Sequence, residues 1–383
     1  MFENGFPSDW STLKKLIWLR GSGAAGGDLP WTTFTGNPLE FDAPKAHSLK
    51  SCTVGIEPIQ SGSGDPSPDN VRPISGSTGA TVWRTGENLL PTSLPNNVIA
   101  GTFSSSSTAI GSAANARVFA IPVPKNTSIH VQKKTGNTNG HTLALGDSGE
   151  IAVGTQIYEP VEFTNIVDNT YNTGIHGWLY IQSASLEKAE ALFATTEFMV
   201  SYGTSRQDYV APSNGTSLTI PFGQTVYGGT ASYNGDGTWT VTVEWVSQTY
   251  NGTETYGYVA SSPYVTIPTS SKHPTWAAGT PICSHFKCGS GLTKPFVQSG
   301  NSSTNYWLML PSDTEWTDAD KFKTWVAQQY TNGTPLQIVY KLATPTTFTI
   351  SNAQLFDALA GRNVMWTDCN ILTIEARGTA VTP

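Results

Sequence analysis

The sequence has little charge and little cysteine. Only 13% of its 383 residues are charged, the formal net charge is −7, and lysine and arginine form no block. Proteins bind nucleic acid and anionic membrane surfaces largely through such blocks, so neither partner is expected. Four scattered cysteines do not make the dense set of a disulfide-stapled secreted domain. We therefore expect assembly in a reducing cytoplasm.

Long apolar runs and common catalytic motifs are also missing. The stretch 9–20, DWSTLKKLIWLR, has an apolar run of four residues that lysines interrupt, so we expect neither a signal peptide nor membrane insertion. No Gly-Lys pair follows a glycine-rich turn, and no two histidines stand one helical turn apart around a glutamate. Four acids of the central region, Asp147, Glu150, Glu162 and Asp168, are interpreted as solvated turn residues. The sequence predicts no enzyme and no cofactor.

Glycine, proline and aromatic residues are plentiful. The chain has 37 glycines, 24 prolines and 12 tryptophans, a composition typical of short strands joined by tight turns. Its length predicts more than one domain. We expect a mainly β, multidomain β-sandwich or jelly-roll protein with a short N-terminal helix and two short helices in the C-terminal part. The predicted segments are 1–30 (anchor helix and Gly-rich hinge), 31–87 (β segment), 88–212 (jelly roll) and 213–383 (β-rich domain with two helices).

Apolar alternation indicates several strands. It is clearest in 51–59, where Cys52, Val54 and Ile56 share one face, and in 238–246, where tryptophan and valine alternate with threonine and glutamate. Similar runs occur at 33–41, 117–123, 128–134, 177–184, 197–203, 336–343 and 370–378. Between the early strands, the run QSGSGDPSPDNVRP at 60–73 combines glycines with fixed-angle prolines. This run predicts a rigid, folded loop.

Three helices are predicted from caps and periodicity. Near the N-terminus, Trp10, Leu13 and Ile17 share one helical face before a Gly/Ala-rich hinge, and with Trp18 they form a candidate anchor; a frayed tail is the alternative. In the C-terminal part, a capping box at Thr317 precedes the apolar positions Phe322, Trp325 and Val326. A second box at Ser351 precedes Leu355, Phe356 and Leu359, with Gly361 as the closing residue.

Four collinear segments are similar to a known protein group. They are TGNPLEFDAP (35–44), PIQSGSGDPSPDNVRPISG (58–76), PFGQTVYGG (221–229) and YKLATP (340–345), with a looser match at 359–368. Together they resemble minor structural proteins of tailed phages and prophages of Firmicutes. The resemblance implies a virion protein of the tail tip, baseplate or a fibre, assembled in the host cytoplasm. It also implies a homotrimer joined to other virion proteins through its N-terminus.

The resemblance further implies a central jelly roll like a carbohydrate-binding module. Sugar recognition stacks an aromatic ring on the apolar face of a sugar while polar groups bind the hydroxyls. Tyr171, Asn172, His176 and Trp178 offer these groups close together, although core packing is an alternative for Trp178. A glycan-binding receptor-recognition protein, a capsid head fibre and a polysaccharide depolymerase are the other functions considered.

One short stretch contains metal-type ligands. Cys283, His285 and Cys288 combine thiol and imidazole groups, and His273 or Cys369 would have to complete a zinc site. Ordinary buried thiols and a Cys283–Cys288 disulfide are the alternatives. The sequence leaves these three readings open.

Overall fold

A computed structural model describes most of the chain. The described residues are 32–47, 49–133, 140–162, 168–194, 198–210, 212, 216–275, 280–293, 295–351, 359–376 and 379–380. They form a mainly β protein, as the composition predicts, with two helices. Neither helix is long and apolar enough to cross a membrane. The candidate anchor residues Trp10, Leu13, Ile17 and Trp18 lie outside the described residues.

Strands dominate the first half of the described chain, and a single short helix follows them. The first strands are β1 (Thr32–Gly36), β2 (Leu39–His47), β3 (Ser51–Ile56), β4 (Ile59–Gln60), β5 (Ile74–Ser75), β6 (Ser77–Thr85), β7 (Ile99–Thr102), β8 (Gly111–Pro122), β9 (Ser128–Lys133), β10 (His141–Gly146), β11 (Tyr158–Glu162), β12 (Asp168–Asn172) and β13 (Trp178–Ser183). Helix α1 (Leu186–Ala194) and strand β14 (Phe198–Tyr202) follow.

The second half of the chain contains the remaining elements. They are β15 (Thr216–Val226), β16 (Gly228–Tyr233), β17 (Thr238–Thr249), β18 (Gly257–Val259), β19 (Tyr264–Pro268), β20 (Ile282–Cys283), β21 (Lys287–Cys288), β22 (Phe296–Ser299), β23 (Asn305–Met309), α2 (Ala319–Thr331), β24 (Gln337–Ser351), β25 (Leu359–Thr367), β26 (Ile371–Ala376) and β27 (Thr379–Ala380).

The chain divides into two compact units, each built from separated stretches of sequence. Unit 1 contains residues 1–52, 81–219 and 353–383, and unit 2 contains residues 53–80 and 220–352. The boundaries of the four segments expected from the sequence stay a prediction.

Unit 1 is organised around a five-stranded antiparallel sheet in the order β11-β10-β13-β8-β7. Alternate residues of its central strands pack into two separate cores. Leu179 and Ile181 face the larger core, whereas Tyr180 faces a smaller one with Phe103 and Ile110. Because both faces are covered, β10 is buried along its whole length and shows no polar alternation.

A second, three-stranded sheet in the order β12-β9-β14 contributes to the larger core of unit 1. Helix α1 also packs there through Ala189 and Leu192. The sequence analysis did not predict this helix, although Ser185 accepts a hydrogen bond from the Lys188 amide (3.2 Å) and so caps its first turn.

Strands from both ends of the described chain also pair within unit 1. β1 pairs with β26, and β2 pairs with β25 and β27, all antiparallel. In β26, Leu372, Ile374 and Ala376 are fully buried, which confirms the predicted alternation. Asn37 fixes the turn between β1 and β2 because its amide donates to the Thr367 carbonyl at 3.0 Å.

Unit 2 contains the sheet strands β3, β16, β17, β24 and β20 and a second sheet in the order β18-β19-β23-β22-β21. In β3, Cys52, Val54 and Ile56 alternate as buried residues, as predicted. Trp239 and Val241 of β17 are also fully buried. The later half of β17 is only half-buried because the register with β24 shifts between Val243 and Trp245.

The C-terminal helix predictions are half correct. Helix α2 forms with Phe322 and Val326 buried, but its N-cap is Asp318, one residue after the predicted Thr317, because the Asp318 carboxylate accepts from the Lys321 amide. The second predicted helix, expected to start at Ser351 and to end at Gly361, is wrong at its C-terminal end. Leu359–Thr367 is strand β25, in which Gly361 pairs with Ala43, and this partner strand holds the backbone extended. Residues 352–358 lie outside the described part.

The Gly/Pro-rich run 60–73 is a folded loop in unit 2, as predicted. The Arg72 guanidinium lies at its centre and donates to the carbonyls of Ser61 (2.9 Å), Gly62 (3.0 Å) and Gly64. The Arg72 amide in turn donates to the Ser284 carbonyl at 2.8 Å. The planar guanidinium of Arg72 thus donates hydrogen bonds to carbonyl groups that the turn leaves without backbone partners.

Candidate functional site

The four candidate glycan residues lie along β12, β13 and the loop that joins them in unit 1. Tyr171 is a buried strand residue. It lies in β12 opposite Ile129, is only 2% exposed, and packs in the larger core, so its ring offers no face to a sugar. Asn172 is exposed, but its side-chain oxygen accepts from the Gly174 amide at 3.1 Å and shapes the loop.

His176 belongs to a surface arrangement that the sequence did not reveal. Its Nδ1 lies 2.7 Å from Oδ1 of Asp147, in the β10–β11 loop, and its ring stacks on Tyr158 with centroids 4.2 Å apart. Because a carboxylate only accepts, the imidazole proton is on Nδ1. We call Asp147, Tyr158 and His176 the aromatic patch. Asp147, expected to be a solvated turn acid, thus orients an imidazole.

The charge of Asp147 affects the Tyr158 hydroxyl within the aromatic patch. The Asp147 carboxylate raises the pKa of the Tyr158 hydroxyl above its ordinary value, so this hydroxyl stays protonated over the physiological range. It donates to the side-chain oxygen of Gln156 at 3.2 Å. The patch therefore combines an aromatic face, an imidazole and a half-exposed carboxylate, the groups that bind sugar rings and sugar hydroxyls.

Trp178 lies beside this arrangement and is half-buried. Its ring covers Gly149 so closely that an added Cβ there would lie 2.3 Å from the indole. It also lines a cavity of about 230 Å³ together with Trp83 and Asn97. Asn97 donates through Nδ2 to the Ala120 and Gly149 carbonyls, both at 3.0 Å. The predicted alternative for Trp178, core packing, is thus correct for part of its ring.

The β10–β11 loop, which contains Asp147 and Gly149, contacts both His176 of the aromatic patch and Trp178. The Asp147 carboxylate contacts the His176 imidazole. Gly149 lies against the Trp178 ring, and its carbonyl oxygen accepts a hydrogen bond from Asn97. The structure therefore joins His176 and Trp178 of the predicted set through one loop, and places Tyr171 elsewhere. The missed partners Asp147 and Tyr158 are distant in sequence from His176, and no local spacing indicates them.

The remaining acids of the central region differ in their surroundings. Asp168 is not a turn residue, since it lies in β12, where it accepts from Arg206 at 2.7 Å and lies 3.3 Å from Nε2 of His130. Glu150 is exposed and lies outside the strands, as the sequence predicts, whereas Glu162 is exposed but lies at the end of β11, opposite Thr142.

The stretch from Cys283 to Cys288 in unit 2 forms part of a core. Cys283 and His285 are almost fully buried, and none of the four cysteines, all of them among the described residues, forms a disulfide. Burial raises the pKa of Cys283 to about 11 and lowers that of His285 to about 4. His285 Nδ1 pairs with the Ser284 hydroxyl at 2.8 Å. Within the described ranges, no three His, Cys, Asp or Glu side chains form a group that could hold a metal ion.

Comparisons with known proteins give little similarity. No family model matches the chain, and no curated protein matches it. Among solved structures, the comparison returns the VP2 subviral particle of infectious bursal disease virus, at 10% identity over 89% of this chain and 78% of that chain, with a TM-score of 0.09. A TM-score this low carries no argument about fold or function.

Proposed function

We propose that the chain is a structural and host-attachment component of a bacteriophage virion, located in the tail tip, baseplate or a fibre, and that it is not an enzyme. The four collinear sequence segments support the virion role, and the mainly β architecture is compatible with it. The homotrimer and the N-terminal attachment to other virion proteins belong to the same proposal.

The observation that carries the attachment role is the aromatic patch. A sugar ring would stack on Tyr158, and its hydroxyls would meet the Asp147 carboxylate and Nε2 of His176. This surface needs no rearrangement of the core, since Asp147 and His176 lie in loops and Tyr158 is the first residue of β11, partly packed against the larger core. We therefore assign host-glycan contact to this part of unit 1.

Glycan binding is tested with the wild-type chain and two variants on an array of bacterial surface glycans. Tyr158→Ala and His176→Ala are expected to weaken binding about tenfold or more, because loss of a stacking face or of an oriented polar group removes about 1.4 kcal/mol. Tyr330→Ala, which removes a tyrosine that is 52% exposed on α2, is the matched control and should bind normally. Unchanged binding by Tyr158→Ala would exclude the patch.

The virion role has its own test. Deleting Met1–Gly27 from the gene in the phage genome is expected to yield particles without the protein, because the apolar residues of the candidate anchor are removed, while the purified truncated chain still folds and oligomerises. Immunoblots of purified particles and cryo-electron microscopy measure incorporation and position. Normal incorporation of the truncated chain would contradict the anchor, and absence of the full-length chain from particles would contradict the virion role.

A further inference from the structure

A groove in unit 2 combines aromatic and acidic side chains beside the first turns of α2. Its volume is about 410 Å³, within the range of roughly 300–1,000 Å³ that small-ligand sites occupy. Its lining includes Trp316 and Trp325, which we call its floor, and Glu315, Asp320 and Gln328, which we call its rim. We call this the α2 groove.

The floor of the α2 groove is closely packed. The Trp316 and Trp325 rings lie 4.9 Å apart at an interplanar angle of 54°. Both rings also contact Phe322, at 5.4 and 5.5 Å, and Phe286, at 5.9 and 5.7 Å. Trp316 is only 8% exposed, whereas Trp325 is half-buried and keeps part of its ring at the surface. A ligand would therefore meet a preformed aromatic surface.

The rim carries negative charge that the protein leaves unpaired. Glu315 and Asp320 are exposed, and within the described part of the chain no lysine, arginine or histidine nitrogen lies within 4.0 Å of either carboxylate. Lys321 also borders the groove, but its ammonium donates to the Thr317 hydroxyl at 2.9 Å. The Asp318 side chain already caps the helix amides. The two rim carboxylates are thus available to a cation.

The geometry points to an amino sugar as the ligand of the α2 groove. The apolar face of the pyranose would stack on Trp325, its ammonium group would approach Glu315 and Asp320, and Gln328 would bind a hydroxyl. Carboxylates form charge-assisted hydrogen bonds with an ammonium group, and the apolar face of a sugar ring stacks on an indole. An anionic sugar is disfavoured by the same carboxylates. This inference concerns unit 2 and does not rest on the aromatic patch or on the virion role.

Two oligosaccharides that differ in charge test the inference by calorimetry with the full chain. Tetraglucosamine is expected to bind at least tenfold more tightly than tetra-N-acetylglucosamine, because acetylation removes the ammonium. Its affinity should fall as the ionic strength is raised from about 0.01 M to about 1 M, since the Debye length shrinks from about 30 Å to about 3 Å. Equal binding of the two tetramers, or no binding, would overturn the inference.

Variants separate groove binding from attraction to an acidic protein. Glu315→Gln with Asp320→Asn is expected to weaken tetraglucosamine binding at least fivefold, whereas Asp313→Asn, which neutralises an exposed neighbouring acid outside the groove, should leave it unchanged. Trp325→Leu should also weaken binding, provided that its thermal melting shows a folded protein. Equal losses of tetraglucosamine affinity in the groove variants and in Asp313→Asn would overturn the inference in favour of non-specific charge attraction. Tyr158→Ala, which alters the aromatic patch only, should bind tetraglucosamine normally.

Discussion

Gly229→Ala is expected to lower the free energy of unfolding of unit 2 by about 4 kcal/mol or more, at the top of the range for single substitutions. An ideal Cβ on Gly229 would lie 1.9 Å from the Thr242 carbonyl oxygen, and the residue has φ +141°. β16 pairs with both β3 and β17, so the backbone has little freedom to move away. Both the steric overlap and the dihedral angle therefore oppose a side chain.

Gly235→Ala provides the matched control for this prediction. Gly235 also has a positive φ, +87°, but no heavy atom lies within 4 Å of its ideal Cβ. Only the dihedral cost of about 1–2 kcal/mol is expected there. Urea unfolding of the two variants measures the difference, and similar losses in both would contradict the steric argument. The result also bears on the PFGQTVYGG segment, whose last glycine is Gly229 and whose presence at this bulge then has a structural cause.

Acidification from pH 6.5 to pH 4 is expected to destabilise both units. Burial lowers the pKa of His141 in unit 1 and of His285 in unit 2 from 6.5 to about 4, and the nearby Lys133 charge adds to the effect on His141. In this window the unfolded chain binds protons that the folded chain does not. The contribution of each neutral, buried histidine to the free energy of unfolding is therefore fully present above pH 6.5. It is lost as the pH falls to about 4, which lowers the free energy of unfolding by up to about 3 kcal/mol for each histidine.

Urea unfolding at a series of pH values between 7 and 4 measures this slope. His141→Gln should reduce the pH dependence of the stability of unit 1, and His285→Gln that of unit 2. Hydrogen exchange, which reports on individual residues, distinguishes the two units. A stability that is constant between pH 6.5 and 4 would show that these imidazoles are protonated in the folded chain.

The sequence predicts the strands whose two faces differ and misses elements that depend on distant partners. Cys52, Val54 and Ile56 alternate because one face of β3 is buried, and the pattern is local. The stretch at Leu359 has helical spacing, yet pairing with β2 makes it a strand. Helix α1 is only nine residues long, and its signal is correspondingly short.

The candidate site shows the same limit. His176 and Trp178 are chemically suitable and lie beside a loop, so composition and spacing indicate them. Tyr171 offers the same chemistry, but its inward orientation follows from the register of β12 against β9, which no sequence motif encodes. Asp147 and Tyr158 join His176 only because the β10–β11 connection and the β12–β13 loop meet in space.

The pairing of β1 with β26 has a consequence for biosynthesis. Thr35 of β1 and Thr373 of β26 bring their hydroxyl groups within 3.1 Å across 338 residues of sequence. While the chain emerges from the ribosome, β1 has no partner until β26 is translated, since the paired threonines are 338 residues apart. The stretch from β7 to β14, by contrast, is continuous, so it is able to fold during synthesis, and β1 and β2 are exposed to chaperones or to neighbouring nascent chains until β25 and β26 have been translated.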